Sequence, residues 1–151
     1  MADAVRLDHV NLSVRDFEES VAWYGRVFGF ALVEEGVWDG VRWGVLRSGG
    51  GRGDAMLCIY HHPEHAFVDA ETLGSRRQHG VRHVGFRITD EAAWRAAVAR
   101  EGLEVEEIRY PRSRSWYVND PTGYDIEVVL WNGDEVAFGA APQASMVREE
   151  A

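Results

Sequence analysis

A chain of 151 residues, 46% of them hydrophobic and including six Trp, six Phe and five Tyr, has apolar surface enough for one compact domain, or two small modules sharing a core, which excludes a wholly disordered protein. Its formal net charge of -9 repels phosphate backbones and anionic lipid, and no run approaches transmembrane length, so neither nucleic acid nor a membrane is an expected partner. All 16 basic residues are Arg, which removes a Schiff-base or Walker-A lysine; Cys58 has no internal disulfide partner and the N-terminal stretch has no apolar h-region, so the sequence reads as cytoplasmic.

In chain order, the first predicted strand is Leu7-Asp8-His9-Val10-Asn11-Leu12-Ser13-Val14, followed by a helix opening at Asp16. Phe17, Val21, Tyr24, Val27 and Phe28 recur at helical spacing, Glu19 stands in a capping-box position, and Gly29 closes the helix. Strands Val41 to Arg47 and Ala55 to Tyr60 then flank Ser48-Gly49-Gly50-Gly51-Arg52-Gly53-Asp54, read as a hairpin loop; no helix follows it to make a phosphate cradle. The pattern then restarts. Val81-Arg82-His83-Val84-Gly85-Phe86-Arg87-Ile88 predicts a strand and Asp90 a helix start, seven residues after His83 just as Asp16 follows His9. Ala93, Trp94, Ala97 and Val98 form the second helical stripe, Gly102 stops it, and Leu103 and Val105 resume a strand. Strands Ser115 to Asn119 and Tyr124 to Trp131 flank the turn Asp120-Pro121-Thr122-Gly123. The class is α+β: one domain of two pseudo-repeated β-α-β-β-β modules, 1–62 and 81–131, with a linker at 63–80 and a tail at 132–151.

Strand alternation places His9 with Asn11, His83 with Arg87, and Glu127 opposite an apolar row of Ile126, Val128 and Leu130. A carboxylate in that setting needs a partner, because desolvating it alone costs several kcal/mol. Two imidazoles at equivalent places in a repeat, with one carboxylate, form the pattern of a facial triad: His9, His83 and Glu127 are the expected ligands of a divalent metal that keeps open positions for substrate or dioxygen.

These residues carry a resemblance. Leu7-Asp8-His9-Val10, Trp23-Tyr24-Gly25-Arg26-Val27-Phe28-Gly29-Phe30, Arg82-His83-Val84-Gly85-Phe86 and Tyr117 to Glu127 look like the vicinal oxygen chelate superfamily of glyoxalase I, extradiol dioxygenases, fosfomycin-modifying enzymes, methylmalonyl-CoA epimerase and bleomycin-binding proteins. The resemblance implies paired β-α-β-β-β modules forming a half-open β-barrel around a metal, usually in a homodimer. Four-ligand members place an acid or amide where this chain has Cys58, or near it in Met56-Leu57-Cys58-Ile59-Tyr60, and no acid stands there, so the three-ligand arrangement is the expectation, with Cys58 as a soft fourth ligand the alternative. Tyr117, ten residues before Glu127, matches a tyrosine of the ring-cleaving and fosfomycin enzymes whose hydroxyl faces the metal site.

The leading expectation is a non-haem Fe(II) dioxygenase of the extradiol type, with Mn(II), Ni(II), Co(II) or Zn(II) as alternative ions. Trp38, Trp43, Tyr60, Trp116 and Trp131 suit a small aromatic substrate, with Asn11 and Arg87 as polar neighbours. The extradiol resemblance also implies a second-shell histidine acting as acid or base, for which His61, His62, His65 and His79 are candidates; parity with Cys58 and Tyr60 favours His62 where the strand extends that far. Two alternatives stand beside it: Lewis-acid isomerisation, epimerisation or thiol transfer, in which Arg112 or Arg114 would bind a substrate carboxylate, and metal-free sequestration of a drug or metabolite.

Overall fold

The computed structural model describes residues 7–75, 79–133 and 136, so most of the segment read as a tail lies outside the described residues. The chain divides into two units, 1–69 and 70–151, a division that falls inside the segment read as a linker.

In unit one, β1 (His9–Ser13) leads into α1 (Phe17–Phe28), then β2 (Ala31–Trp38), β3 (Val41–Arg47), a four-residue helical turn α2 (Ser48–Gly51) and β4 (Met56–His61). The sheet order is β1-β4-β3-β2, with β1 parallel to β4 and the other pairs antiparallel. The α1 signals act as the sequence predicts: Asp16 accepts from the Glu19 amide at 2.9 Å, and Gly29 takes the left-handed conformation at φ 68° that a side chain would oppose. The apolar stripe Phe17, Trp23, Tyr24 and Val27 is buried against Leu12, Leu46, Leu57 and Ile59 of the sheet. Contact is close at Gly44, where an added Cβ would lie 2.7 Å from the Phe17 ring. The glycine-rich connection is not a plain hairpin loop, because Gly49 and Gly50 adopt left-handed conformations that wind it into α2.

Unit two repeats the order. A short α3 (Ala70–Leu73), unforeseen in the sequence reading, precedes β5 (Val84–Ile88), α4 (Glu91–Glu101), β6 (Glu106–Arg109), β7 (Ser113–Asn119) and β8 (Asp125–Trp131). Its sheet order is β5-β8-β7-β6, the same plan as in unit one. Asp90 caps α4 by accepting from the Ala93 amide at 2.9 Å, and Gly102 ends it at φ 61°. The turn before β8 is held by buried Asp120, whose Oδ1 accepts from the amides of Thr122, Gly123 and Tyr124. Trp94 and Ala97 of α4 pack over Trp116, Val118, Ile126 and Val128. No helix among the described residues is long and apolar enough to cross a membrane.

The repeat is exact at the level of hydrogen-bond register. Val10 pairs with Leu57 and Asn11 with Cys58 in one unit, and Val84 pairs with Ile126 and Gly85 with Glu127 in the other. Cys58 therefore holds in module one the place that Glu127 holds in module two.

Candidate functional site

In β8, Ile126 and Val128 are fully buried beneath α4, which turns Glu127 to the opposite face of the sheet. Tyr117 of β7 is its directly paired neighbour, and Gly85 of β5 is paired on the other side. His83, two residues before Gly85, stands just outside the start of β5 rather than within a strand as the sequence reading had it. Its Nε2 lies 2.9 Å from Glu127 Oε2, and the Tyr117 hydroxyl donates to Glu127 Oε1 at 2.9 Å. Both carboxylate oxygens are thus engaged, with the Glu127 side chain 16% exposed and that of His83 40% exposed. His83 and Tyr117 also meet edge to face, their rings 5.9 Å apart.

Burial, followed by the hydrogen bonds to Tyr110 and Glu127, pushes the Tyr117 hydroxyl well above the ordinary tyrosine range, so it stays a proton donor. Burial also raises the neighbouring Asp125 carboxyl; the charge of His83 opposes this and those of Glu127 and Glu106 add to it. A cavity of about 920 Å³ opens on this face of unit two, bordered by His83, Tyr110, Tyr117, Asn119 and Asp125 among others. Alternation along the last strand already puts Asp125 on the face of Glu127, whereas Tyr110 had no signal in the sequence, because it reaches Tyr117 only across the β6–β7 turn.

Unit one carries the remaining ligand candidate. His9 Nδ1 lies 2.7 Å from Asp8 Oδ1, and the tautomer with its proton on Nδ1 has a free lone pair on Nε2. Asn11, Trp38, Trp43, Cys58 and Tyr60 share one face of this sheet by register, opposite the face on which Gly44 meets Phe17 of α1. Trp43 lies over Gly36, where an added Cβ would meet its ring at 2.7 Å, while Trp38 is 76% exposed. Burial, and less strongly the charge of Asp8, raises the Cys58 thiol, which keeps it a neutral group rather than a thiolate. No three His, Cys, Asp or Glu side chains gather as a metal-holding group within either unit among the described residues.

Three expectations are corrected. Trp116 is 1% exposed and lies on the helix side of its sheet, its Nε1 donating to Glu107, so it belongs to the core and not to a pocket. His62 lies beyond the end of β4, so strand parity does not govern it; its Nδ1 accepts from the Glu64 amide at 3.1 Å and its ring lies 5.6 Å from that of His65. Arg114 is occupied by both carboxylate oxygens of Glu91 and is not open to a substrate carboxylate. Arg87 is exposed and donates to the Gly133 carbonyl at 3.4 Å.

Two β-α-β-β-β modules with matching registers define an α+β protein of the paired-module type. The chain belongs to the Glyoxalase/Bleomycin resistance protein/Dioxygenase superfamily, whose family model matches residues 6–128. No curated protein matches its sequence. Among solved structures, a glyoxylase/bleomycin resistance protein/dioxygenase domain from Frankia sp. EAN1pec is 18% identical over 86% of this chain and 100% of its own, with a TM-score of 0.70. The fosfomycin resistance protein FosX from Listeria monocytogenes, in a mutant complexed with Mn(II) and 1S,2S-dihydroxypropylphosphonic acid, is 18% identical over 87% of this chain and 94% of its own, with a TM-score of 0.60. TnmS3, an antibiotic binding protein from Streptomyces sp. CB03234, is 21% identical over 87% of this chain and 99% of its own, with a TM-score of 0.62. At these identities the likeness is one of fold.

Proposed function

We propose that the chain is a metal-dependent enzyme for a small substrate bearing two neighbouring oxygens, with His9, His83 and Glu127 as the metal ligands. The observation that carries this reading is the pairing of Glu127 with His83, which lines the cavity. With metal–ligand bonds of roughly 2.1 Å, donors on adjacent corners of an octahedron stand roughly 3 Å apart, and the His83 and Glu127 donor atoms are 2.9 Å apart. Imidazole nitrogen and carboxylate oxygen suit Fe(II), our first choice, and also Mn(II), Ni(II), Co(II) or Zn(II). Such an ion would supply Lewis-acid polarisation of the substrate oxygens and, as iron, the use of dioxygen.

The protein's own residues orient and hold protons. Tyr117 fixes the Glu127 carboxylate and presents a hydroxyl that keeps its proton at the cavity wall. Trp43 and Tyr60, cross-strand neighbours, offer flat apolar contact, with Trp38 at the end of the same row and Asn11 and Arg87 as polar groups. The first reading of the chemistry is extradiol-type ring cleavage. The position of His62 beyond the end of β4, outside the parity of Cys58 and Tyr60, favours a second reading, an isomerase or thiol transferase that needs no histidine acid or base there. The likeness to an antibiotic binding protein favours a third, sequestration without catalysis. A cytoplasmic homodimer is part of the same proposal.

The test is metal content followed by oxygen uptake. Protein purified without chelators should carry one first-row metal per chain, and the Fe(II) form should consume oxygen with some member of a catechol panel. Metal without oxygen uptake points to the Lewis-acid reading. Failure to take up Fe(II), Mn(II), Ni(II) or Zn(II) leaves sequestration.

A further inference from the structure

Tyr110 lies one residue beyond β6, and its amide donates to the Ser113 carbonyl at 2.8 Å, closing the turn into β7. This turn folds its side chain back along the sheet, so that the Tyr110 and Tyr117 hydroxyl oxygens stand 3.3 Å apart beside the cavity. A phenol has one proton to give and lone pairs to accept with. The Tyr117 proton is directed to Glu127 Oε1, at 2.9 Å and on an anionic acceptor, which makes that bond the stronger of its two options. The proton between the two tyrosines must then come from Tyr110. The bonds run one way, from Tyr110 to Tyr117 to Glu127, and each polarises the next.

We infer that Tyr110 is a positioning residue: by filling the Tyr117 oxygen it fixes the direction in which Tyr117 gives its proton, and through it the setting of the Glu127 carboxylate. The inference deepens the metal-centre reading and rests on it where metal affinity is concerned. It also leaves the Tyr110 oxygen as the outer end of the chain, the acceptor offered to a hydroxyl or amine of a substrate in the cavity.

The experiment is a double-mutant cycle with Tyr110→Phe, Tyr117→Phe and both together, read by Mn(II) affinity and, in metal-free protein, by the exchange rate of the Tyr117 hydroxyl proton in NMR. Phenylalanine keeps the ring, so packing is preserved. Tyr110→Phe should weaken Mn(II) binding roughly fivefold, less than the roughly tenfold or more of a direct ligand partner, and should do nothing in the Tyr117→Phe background. The Tyr117 hydroxyl proton should exchange several-fold faster in the Tyr110→Phe protein. An equal effect of Tyr110→Phe in both backgrounds, or none in either, overturns the inference, as does an unchanged exchange rate. If the wild-type chain binds no Mn(II), the metal-centre reading fails separately, and the exchange rate alone decides the role of Tyr110.

Discussion

Tyr117→Phe tests whether the cavity-face cluster is a site or a structural contact. The substitution keeps the ring and deletes only the hydroxyl that donates to Glu127 Oε1 at 2.9 Å. A hydrogen bond to a charged acceptor is worth about 1.5–3 kcal/mol. Tyr117 borders an open cavity, and water can replace part of that bond, so the lower end, about 1.5 kcal/mol, is the working value. That energy corresponds to about tenfold in affinity, the lower edge of what losing a partner of a metal ligand costs. The variant should therefore still bind Mn(II) or Ni(II) in a calorimetric titration, about tenfold more weakly. Its thermal midpoint should fall by only about 3–6 °C, since the β7–β8 pairing is untouched. Turnover, once a substrate is in hand, should fall as well. An affinity within about twofold of wild type would refute the reasoning, because the carboxylate would then not depend on Tyr117 for its orientation.

Three further outcomes are expected. His83→Ala and Glu127→Ala should each abolish stoichiometric metal by elemental analysis while far-ultraviolet circular dichroism stays near wild type, because both strands remain paired; unchanged metal in both variants would remove the proposed ligands. Gly44→Ala would place a Cβ 2.7 Å from Phe17 and 2.9 Å from Leu32, and such overpacking costs about 1–3 kcal/mol in urea unfolding, where wild-type stability would show that α1 can move aside. Burial pushes the Glu107 carboxyl up, but hydrogen bonds from Trp116, Arg95 and Arg109 outweigh it and hold the group below its ordinary value of 4.5. A carboxyl depressed in the folded state adds stability above its unfolded value and loses it as pH falls through the folded one. The stability gap between wild type and Glu107→Gln should thus be full at neutral pH and shrink below about 4.5; a gap constant down to pH of about 3 would count against the assignment.

Much of this architecture is written in short-range signals. Asp16 and Asp90 open their helices, Gly29 and Gly102 close them, and Asp120 organises the last turn, because caps and turns depend on groups within a few residues of each other. The repeat around His9 and His83 forecast two equivalent modules, and the matching registers carry that equivalence down to Cys58 and Glu127. The misreadings share a cause. Trp116, His62 and Arg114 were assigned by residue type or parity, but each is governed by a partner the spacing does not reveal: Glu107 and α4, the Glu64 amide, and Glu91.

By itself, the sequence determined the class of protein: an acidic chain without lysine, two strand-helix-strand repeats, and imidazoles and a carboxylate at repeated places. Only the tertiary structure decided which groups touch. The His83–Glu127 pair, the donor role of Tyr117 and the neighbouring Tyr110 hydroxyl all depend on register between strands, and that is set by packing Ile126 and Val128 under α4 rather than by any local preference. A period of two tells which face a side chain takes, while the neighbour it meets there is fixed by the sheet as a whole.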